Sequence, residues 1–370
     1  MKKLFSLLLA IVMVVSLAAC GNSTGSDAAS ASSEANASTD SGETTVQTAV
    51  AGACWYNFAD TFISSARQTL ENIAAADGTI KITSADSQGA IETQTSNVNN
   101  FYTQGIDYLV LNNLNTSGIS EICAAANKEK VTLVFANTDS PSDEDFENYE
   151  NIWFVSSRAE QSGEIMGEAL LEYWNAHPEA DRNGNGQMDY IMLLGSQGSY
   201  DTIMRSGESV RVLEEGGVSL NNIGGDQLCE WSRATAMEKV AALLANFGDD
   251  VDAIIACNDD MALGAVEALK AAGFFGDGEY IPVTGVDATA VGVEAVQEGT
   301  LLVTSLNNPV NLAKGVYKTM WLLQNGQEVT TETVNLPGVE VEGHRVWLSY
   351  TAITPDNIDD ASYNINDTDF

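Results

Sequence analysis

The chain has 370 residues, of which 44% are hydrophobic, so it is long enough to form two domains with sizeable cores. It carries 52 Asp and Glu residues against 16 Lys and Arg, a formal net charge of −36 at pH 7. A surface that acidic repels phosphate backbones, which excludes nucleic-acid binding as the main function. His occurs only twice, so a zinc or iron site built from imidazoles is not expected.

The first twenty residues have the form of a bacterial lipoprotein leader. Lys2 and Lys3 precede an apolar run over residues 4–17, which is about the length of a signal-peptide core and too short for a membrane span. Small residues then precede Cys20, a pattern that resembles a lipobox and implies removal of residues 1–19 and acylation of Cys20. A plain secretory signal followed by an incidental Cys is the alternative.

Residues 20–47 are predicted to be the lipid-anchored Cys and a flexible linker. After Cys20 they consist mainly of Ser, Ala, Asn, Gly, Thr and acidic residues, without an aromatic. Such a segment cannot bury enough apolar surface to fold. We therefore expect the folded part of the chain to lie at the extracytoplasmic face of the cell membrane and to contact it only through the anchor.

The four Cys residues after the leader are predicted to be buried free thiols. An extracellular setting permits disulfides. However, each Cys lies in an apolar or small-residue run, and their spacing shows no CxxC motif. The four are Cys54, Cys123, Cys229 and Cys257.

From residue 48 onward, short apolar runs alternate with segments of helical periodicity. The pattern predicts strands over 49–56, 79–85, 108–112, 132–136, 152–155, 190–194, 253–256 and 283–285. It predicts helices over 62–76, 92–104, 117–127, 160–176, 206–215, 234–247, 261–271 and 288–298, and an acidic loop over 139–150. Short apolar strands separated by helices imply parallel sheets covered on both faces. The predicted fold class is α/β, with two doubly wound parallel-sheet domains and a ligand cleft beyond the carboxyl ends of the strands.

The predicted strand ends carry no phosphate-binding motif. The sequence has no Gly-x-Gly-x-x-Gly after a strand and no Gly-Lys-Ser/Thr loop, so nucleotide binding has no support. The one Gly-x-Ser-x-Gly string, residues 21–25, lies in the predicted linker and not between a strand and a helix, so it is not a nucleophile elbow.

Residues 181–189 match the first nine positions of an EF-hand calcium loop. Oxygen side chains stand at positions 1, 3, 5 and 9, and Gly186 at position 6 permits the turn; position 7 would give its carbonyl. These ligand positions are Asp181, Asn183, Asn185, Gln187 and Asp189. Position 12, usually a bidentate Glu, is Met192 in a predicted strand, so the last carboxylate must come from elsewhere. The pattern predicts a structural Ca²⁺ site; a surface turn without metal is the alternative.

Several strings, together with this loop, resemble the galactose/glucose-binding proteins of the type I periplasmic sugar-binding family of ABC importers. They are Asp86-Ser87-Gln88, residues 134–137, residues 258–270 and residues 285–288. The resemblance runs from about residue 50 to the C terminus. It implies two lobes joined by a three-stranded hinge, a monosaccharide of the galactose or glucose type bound in the cleft, and no catalysis.

The resemblance also places the sugar-binding residues. The two stacking aromatics are Phe62 and Trp231. The polar contacts are Asp60, Asn137, Ser199, Asp201, Arg205, Asn258, Asp287 and Asn307. Ser199 stands where the family has a His, which changes one contact to the sugar rim. Asp252 stands where the family has the Glu that completes the calcium site.

These residue types suit a pyranose without the analogy. Aromatic rings can cover its two apolar faces, while Asp, Asn and Arg can form charge-assisted hydrogen bonds with its hydroxyls. A hydroxyl that loses water without gaining a partner costs about 1–3 kcal/mol, so the pocket selects a sugar by matching its rim. Asp60 and Asp287 are also open to a simpler interpretation as helix N-caps.

The resemblance implies a discontinuous organisation. The N-terminal lobe comprises residues 48–155 and 310–347, and the C-terminal lobe residues 157–306 and 351–370. The hinge lies near 156, 307–309 and 347–351. Sugar binding is expected to close the hinge, and an ABC permease would recognise the closed form of a monomer.

Two other functions are alternatives at this stage. The first is a receptor that presents the bound sugar to a chemoreceptor or sensor kinase. The second is a glycosidase, for which Asp60, Asp201 and Asp287 are the candidate carboxylates.

Overall fold

The computed structural model of the chain describes residues 48–276 and 279–370. The predicted leader, Cys20 and the linker up to residue 47 lie outside the described residues. Within the described ranges, no helix combines the length and apolar character needed to cross a bilayer.

The described residues form fourteen strands and eleven α-helices, which largely alternate along the chain. The strands are β1 (Ala49–Trp55), β2 (Ile80–Asp86), β3 (Tyr108–Leu111), β4 (Thr132–Ala136), β5 (Ile152–Ser157), β6 (Met188–Leu194), β7 (Leu220–Asn222), β8 (Gln227–Leu228), β9 (Ala253–Ala256), β10 (Val283–Val286), β11 (Val303–Leu306), β12 (Glu340–Glu342), β13 (Arg345–Leu348) and β14 (Thr351–Ile353). The helices are α1 (Thr61–Asp77), α2 (Ile91–Gln104), α3 (Ile119–Glu129), α4 (Asp143–Asn148), α5 (Ala159–Ala176), α6 (Tyr200–Glu215), α7 (Arg233–Phe247), α8 (Asp259–Ala272), α9 (Ala290–Gln297), α10 (Pro309–Gln324) and α11 (Thr331–Val334).

The first sheet has the order β12-β13-β5-β4-β3-β1-β2 and is parallel except for the β12–β13 pair. Side chains of β1 alternate between its two faces, which is why both faces carry a core. Ala53 and Trp55 join the core under α1 and α10, whereas Cys54 joins the core under α2 and α3. We call the part of the molecule built on this sheet the first lobe.

The second sheet has the order β14-β11-β10-β9-β6-β7, with β8 also paired to β6. It is parallel except for β14, which runs antiparallel to β11. Helices α7, α8 and α9 pack on one face, and α5 and α6 on the other. This part is the second lobe. The prediction of two doubly wound α/β domains is confirmed, with the addition of an antiparallel edge strand in each sheet.

The chain crosses between the two sheets after β5, after β11 and between β13 and β14. A further crossing was not predicted. Residues 363–370, which we call the C-terminal tail, return to the first lobe. There Asn72 Nδ2 donates to Ile365 O at 3.0 Å, Lys314 Nζ lies 2.7 Å from Asp367 Oδ2, and the ring of Phe370 packs edge-on against Tyr317 at 4.7 Å. The assignment of residues 351–370 to the C-terminal lobe is therefore wrong for the tail.

Helix α6 and helix α4 differ from the predicted pattern for the same reason, which is a strong N-cap. Ser199 accepts the N–H of Thr202, so α6 begins at Tyr200 instead of residue 206. Ser142 and Asp145 form a capping box, so a helix replaces part of the predicted acidic loop over 139–150. Capping energy outweighs the weak apolar pattern in both segments.

Candidate functional site

A cavity of about 510 Å³ lies between the lobes, beyond the carboxyl ends of the parallel strands. Both lobes contribute to its wall. Nine of the ten predicted sugar-binding residues line it: Asp60, Phe62, Asn137, Ser199, Asp201, Arg205, Trp231, Asn258 and Asp287. The strand-end positions inferred from the sequence therefore converge on one hollow.

The two predicted stacking aromatics, Phe62 and Trp231, contribute unequally to the cavity wall. Phe62 is only 5% exposed and belongs largely to the core of the first lobe. Trp231 is half-buried, and its backbone φ of +62° follows a φ of +50° at Glu230. Two consecutive non-glycine residues in the left-handed region are uncommon, so the surrounding structure must hold this turn in place. The turn presents the indole to the cavity.

Gly195, at the end of β6, makes room for that indole. A Cβ atom at this position would lie 2.1 Å from the Trp231 ring. Any side chain larger than hydrogen would therefore push the ring away. The Arg205 guanidinium lies 5.7 Å from the centre of the same ring, on a cation–π contact.

Arg205 is the buried cation of the site. It donates to Cys257 O at 2.7 Å and to Tyr350 Oη at 3.0 Å, and Asp201 lies 3.6 Å away one turn earlier on α6. Burial alone would lower the pKa of Arg205, but the neighbouring Asp201, Tyr350 and Asp287 raise it above its usual value. The guanidinium therefore stays charged and fixes three chain segments against one another.

Asp287 follows β10 with a φ of +110° and is 6% exposed. Its carboxylate forms no hydrogen bond with the described residues. Burial raises its pKa well above the usual range, the charge of Arg205 lowers it, and Asp259 raises it further. A buried acid without a protein partner is costly, and a ligand hydroxyl would supply that partner.

Asp259 supports the loop that carries Asp287. This fully buried carboxylate accepts the Thr304 hydroxyl at 2.6 Å and the Thr289 N–H at 2.7 Å. Burial raises its pKa to about 7. Because Thr289 caps α9, Asp259 fixes the turn between β10 and that helix.

Asp60 and Asn258 each cap a helix and also line the cavity. Asp60 caps α1 by accepting the Ile63 N–H at 2.8 Å, and Asn258 caps α8 by accepting the Met261 N–H at 2.9 Å. Asp60 also accepts the Tyr56 hydroxyl through its second oxygen. The N-cap interpretation is therefore correct for Asp60, yet both residues still line the cavity. Asp287 does not cap a helix, because Thr289 occupies the N-cap position of α9.

Asn307 lies behind the wall and not in it. It is 1% exposed, and both ends of its side chain are engaged by protein. Its Nδ2 donates to Asn137 Oδ1 at 3.2 Å, and its Oδ1 accepts the Ser157 hydroxyl at 2.9 Å. It thereby orients Asn137 where the chain crosses from the second lobe to the first.

Other lining or supporting residues carried little signal in the sequence. Asn112 lines the cavity and donates to the backbone carbonyls of Ala136 and Asn137, at 3.0 and 2.6 Å. Tyr350 reaches Arg205 from 145 residues away in the chain. Asn112 was the most accessible to prediction, since it ends a predicted strand. Other wall residues of this kind include Tyr56, Asn113, Asp139, Gln197 and Glu230.

The predicted calcium loop joins a short 3₁₀ turn (Pro178–Ala180) to β6. Asp181 accepts the N–H groups of Asn185 and Gly186 at 3.0 and 2.9 Å. The amides of Asn183 and Asn185 both donate to Asp189 Oδ2 at 2.8 Å. These bonds close the turn around Asp181 and Asp189, and the amide nitrogens of Asn183 and Asn185 face Asp189.

Asp252 lies against this loop, directly before β9. Its two carboxylate oxygens accept the N–H groups of Arg182 and Asp189 at 2.9 and 2.8 Å. The pKa of Asp252 is raised to about 6, mainly by burial and also by the charges of Asp189 and Asp181, although the two backbone hydrogen bonds lower it. The oxygen donor set fits a hard cation such as Ca²⁺. Within the described ranges, however, no group of three or more His, Cys, Asp or Glu side chains is arranged as a metal site.

The four predicted thiols are free and buried. Burial raises the pKa of Cys54 and of Cys257 to about 12, so both stay protonated at neutral pH. Cys20 lies outside the described residues.

A family model described as a periplasmic binding protein domain matches residues 51–328. The chain is 30% identical over 310 residues to the D-galactose/methyl-galactoside binding periplasmic protein MglB of Haemophilus influenzae, which spans 84% of this chain and 90% of that protein. It is 25% identical over 299 residues to the xylitol-binding protein of Mycolicibacterium smegmatis, covering 80% and 75% of the two chains. Among solved structures, it shares the fold of an ABC transporter solute binding protein from Bacillus halodurans with bound myo-inositol, with a TM-score of 0.68, 24% identity and coverage of 85% of this chain and 97% of that one.

Proposed function

The chain belongs to the periplasmic binding protein domain family, and on that premise we propose that it captures a monosaccharide for an ABC importer. The proposed ligand is an aldohexose of the galactose or glucose type. The relative at 30% identity is named for D-galactose and methyl-galactoside. That name supports the sugar class, and the cavity chemistry described above supports a hydroxyl-rich ring.

The observation that carries the proposal is the joint placement of Trp231, Arg205 and Asp287 on one cavity wall. An indole covers an apolar ring face, while a buried carboxylate and a buried guanidinium exchange hydrogen bonds with hydroxyls. Asp287 lacks a partner within the described residues, so a donor on the ligand would relieve its burial. A ligand with several hydroxyls and an apolar face meets these requirements together.

Binding would favour a closed arrangement of the lobes, because the wall is shared between them. Asp60 and Asn137 belong to the first lobe, whereas Asp201, Trp231 and Asp287 belong to the second. A ligand that touches both sides stabilises the closed state by its difference in affinity for the two states. The permease of an importer would then recognise the closed form. A receptor that presents the sugar to a chemoreceptor or sensor kinase is the alternative, and both uses share the same binding step.

Two of the three candidate carboxylates, Asp60 and Asp201, are engaged in ways that support binding over glycoside hydrolysis. Asp60 caps α1 and accepts from Tyr56, and Asp201 lies beside the buried Arg205. A general acid must be free to donate to the leaving group, whereas Asp60 is held by two protein donors and Asp201 by an ion pair. Steady release of nitrophenol from a nitrophenyl hexoside would favour the enzyme instead.

We also propose that the loop over 181–189 holds a structural Ca²⁺ and that the mature chain is anchored through Cys20. Asp181, Asn183, Asn185, Gln187 and Asp189 would hold the ion. The buried Asp252 would add negative charge from β9. The ion would offset the charges of Asp181 and Asp189, which raise the pKa of Asp252, and so hold β6 and β9 together at the end opposite the cavity.

A thermal-shift screen tests the proposed function. D-galactose or D-glucose is expected to raise the melting temperature by several degrees, because a ligand at about 100 times its Kd adds about 2.7 kcal/mol. D-xylose, D-ribose and myo-inositol test neighbouring ligand classes, and L-glucose is the matched control. A panel without any shift would contradict sugar binding.

Calcium removal gives a separate prediction. EDTA is expected to lower the melting temperature by several degrees, because an ion that binds only the folded chain stabilises it. Asp181→Ala should lower the melting temperature and abolish the response to EDTA. Asp143→Ala, which removes an exposed acid of the first lobe, is the control. If Asp181→Ala and the wild type respond equally to EDTA, the ion is not held by this loop.

A further inference from the structure

Asp139 connects the two lobes beside the cavity. Its Oδ1 atom accepts the backbone N–H of Tyr200 at 2.6 Å. Asp139 follows β4 of the first lobe, and Tyr200 is the first residue of α6 in the second lobe. Asp139 also lines the cavity, so one carboxylate faces both the opposite lobe and the space for a ligand.

The loop that carries Asp139 is fixed to its own lobe on both sides. Thr138 Oγ1 donates to Asn113 O at 3.0 Å, and Arg345 Nε donates to Ser140 Oγ at 3.0 Å. These contacts anchor the loop to the end of β3 and to β13. Asp139 therefore moves with the first lobe, and its bond to the second lobe depends on the gap between them.

The N terminus of α6 is a favourable place for the carboxylate of Asp139. N–H groups in the first turn of a helix have no partner within the helix, and the helix dipole favours negative charge there. Ser199 satisfies the N–H of Thr202, which leaves the N–H of Tyr200 to Asp139. Burial and the charge of Asp201 raise the pKa of Asp139, whereas the bond from Tyr200 lowers it.

We propose that Asp139 is a closing contact, which holds the lobes together over the bound sugar and slows its release. This inference rests on the proposed function, since it concerns the same ligand and the same cavity. It assigns to Asp139 a positioning role that acts through the N terminus of α6. A second bond between the lobes, from Thr61 Oγ1 to Asp260 Oδ2 at 3.0 Å, is exposed, so we expect it to contribute less.

Stopped-flow measurement of tryptophan fluorescence tests the proposal, with D-galactose and D-glucose as probes. Asp139→Ala is expected to raise the dissociation rate about tenfold, because a charge-assisted bond of the closed state is lost. The association rate should change less than about twofold, since affinity changes at one interface lie mostly in dissociation. Asp139→Asn keeps an oxygen acceptor and should recover most of the loss. Thr61→Val, at the exposed bond, is the comparison and should change release less than about twofold.

Small-angle scattering distinguishes a loss of lobe closure from a general loss of stability. At saturating sugar, Asp139→Ala should be more expanded than the wild type, while its sugar-free melting temperature should stay close to the wild-type value. If Asp139→Ala releases sugar at the wild-type rate, or loses melting temperature equally with and without sugar, Asp139 is not a closing contact. A wild-type protein that binds neither probe overturns the proposed function as well, and so the two failures are distinguished.

Discussion

The sugar-induced rise in melting temperature is expected to fall to about a third or less when Trp231 is replaced with Ala. The indole is half-buried at the cavity wall, on a turn whose two positive φ values present it to the ligand space. Without it, one face of a bound ring stays in contact with water. Loss of a central aromatic anchor costs about 2 kcal/mol or more of binding free energy, which is about a 30-fold loss of affinity. Isothermal titration with the best sugar of the screen measures this loss directly.

Two further variants separate the role of the ring from general damage. Trp321→Ala removes a half-buried indole of the first lobe that packs near Phe370, so the sugar response should persist. Gly195→Ala keeps Trp231 but places a Cβ 2.1 Å from its ring, so the response should fall although no aromatic is lost. An unchanged response in Trp231→Ala would remove the assigned aromatic wall.

Arg205→Met is expected to lower both sugar affinity and stability. The guanidinium is buried, donates to Cys257 O and Tyr350 Oη, and lies 3.6 Å from Asp201. Removal of one partner of a buried ion pair costs about 3–5 kcal/mol, because the remaining charge is left uncompensated. Denaturant unfolding should show the loss, and titration calorimetry should show little or no sugar binding.

The stability deficit of Arg205→Met should grow with pH. Burial already raises the pKa of Asp287, and the charge of Arg205 lowers it, so loss of that charge raises this pKa further. An acid whose pKa is higher in the folded than in the unfolded state, where it is about 3.9, destabilises the fold increasingly as pH rises above that value. Below the pKa that Asp287 has in the wild-type fold, both proteins keep this acid protonated, so their unfolding free energies should diverge only as the pH rises above that pKa. Arg205→Lys keeps the charge and should restore the pH profile, although a single ammonium cannot serve both acceptors. A deficit that stays constant with pH would contradict the coupling.

The alternation of strands and helices was predictable because buried parallel strands are short, apolar and separated by periodic segments. The predicted strands over 132–136 and 253–256 agree with β4 and β9 in every residue. The start of α6 was not predictable from periodicity, since its first turn is polar and only the cap at Ser199 sets the boundary. The tail was placed in the wrong lobe because its contacts with Asn72 and Lys314 come from parts of the chain far away in sequence.

The candidate site followed from the strand ends and from the family resemblance, and not from any single residue. Asp60 illustrates the limit, since the same side chain is a helix cap and a wall residue. The group around Arg205 was only half predictable: Asp201 stands one turn away, but Tyr350 and Cys257 reach it through the tertiary fold. Asp139 lies two residues after the predicted Asn137. Nothing local in the sequence indicates that its carboxylate would accept an N–H from a helix of the other lobe.

The tail has a practical consequence for reporters attached to this protein. The chain leaves the second sheet at β14, yet Phe370 rests on Tyr317 and Trp321 of α10. A fluorophore attached at Phe370 would thus travel with the half of the molecule that contains β1. Paired with a dye on α9, it would report the distance between the two halves of the molecule.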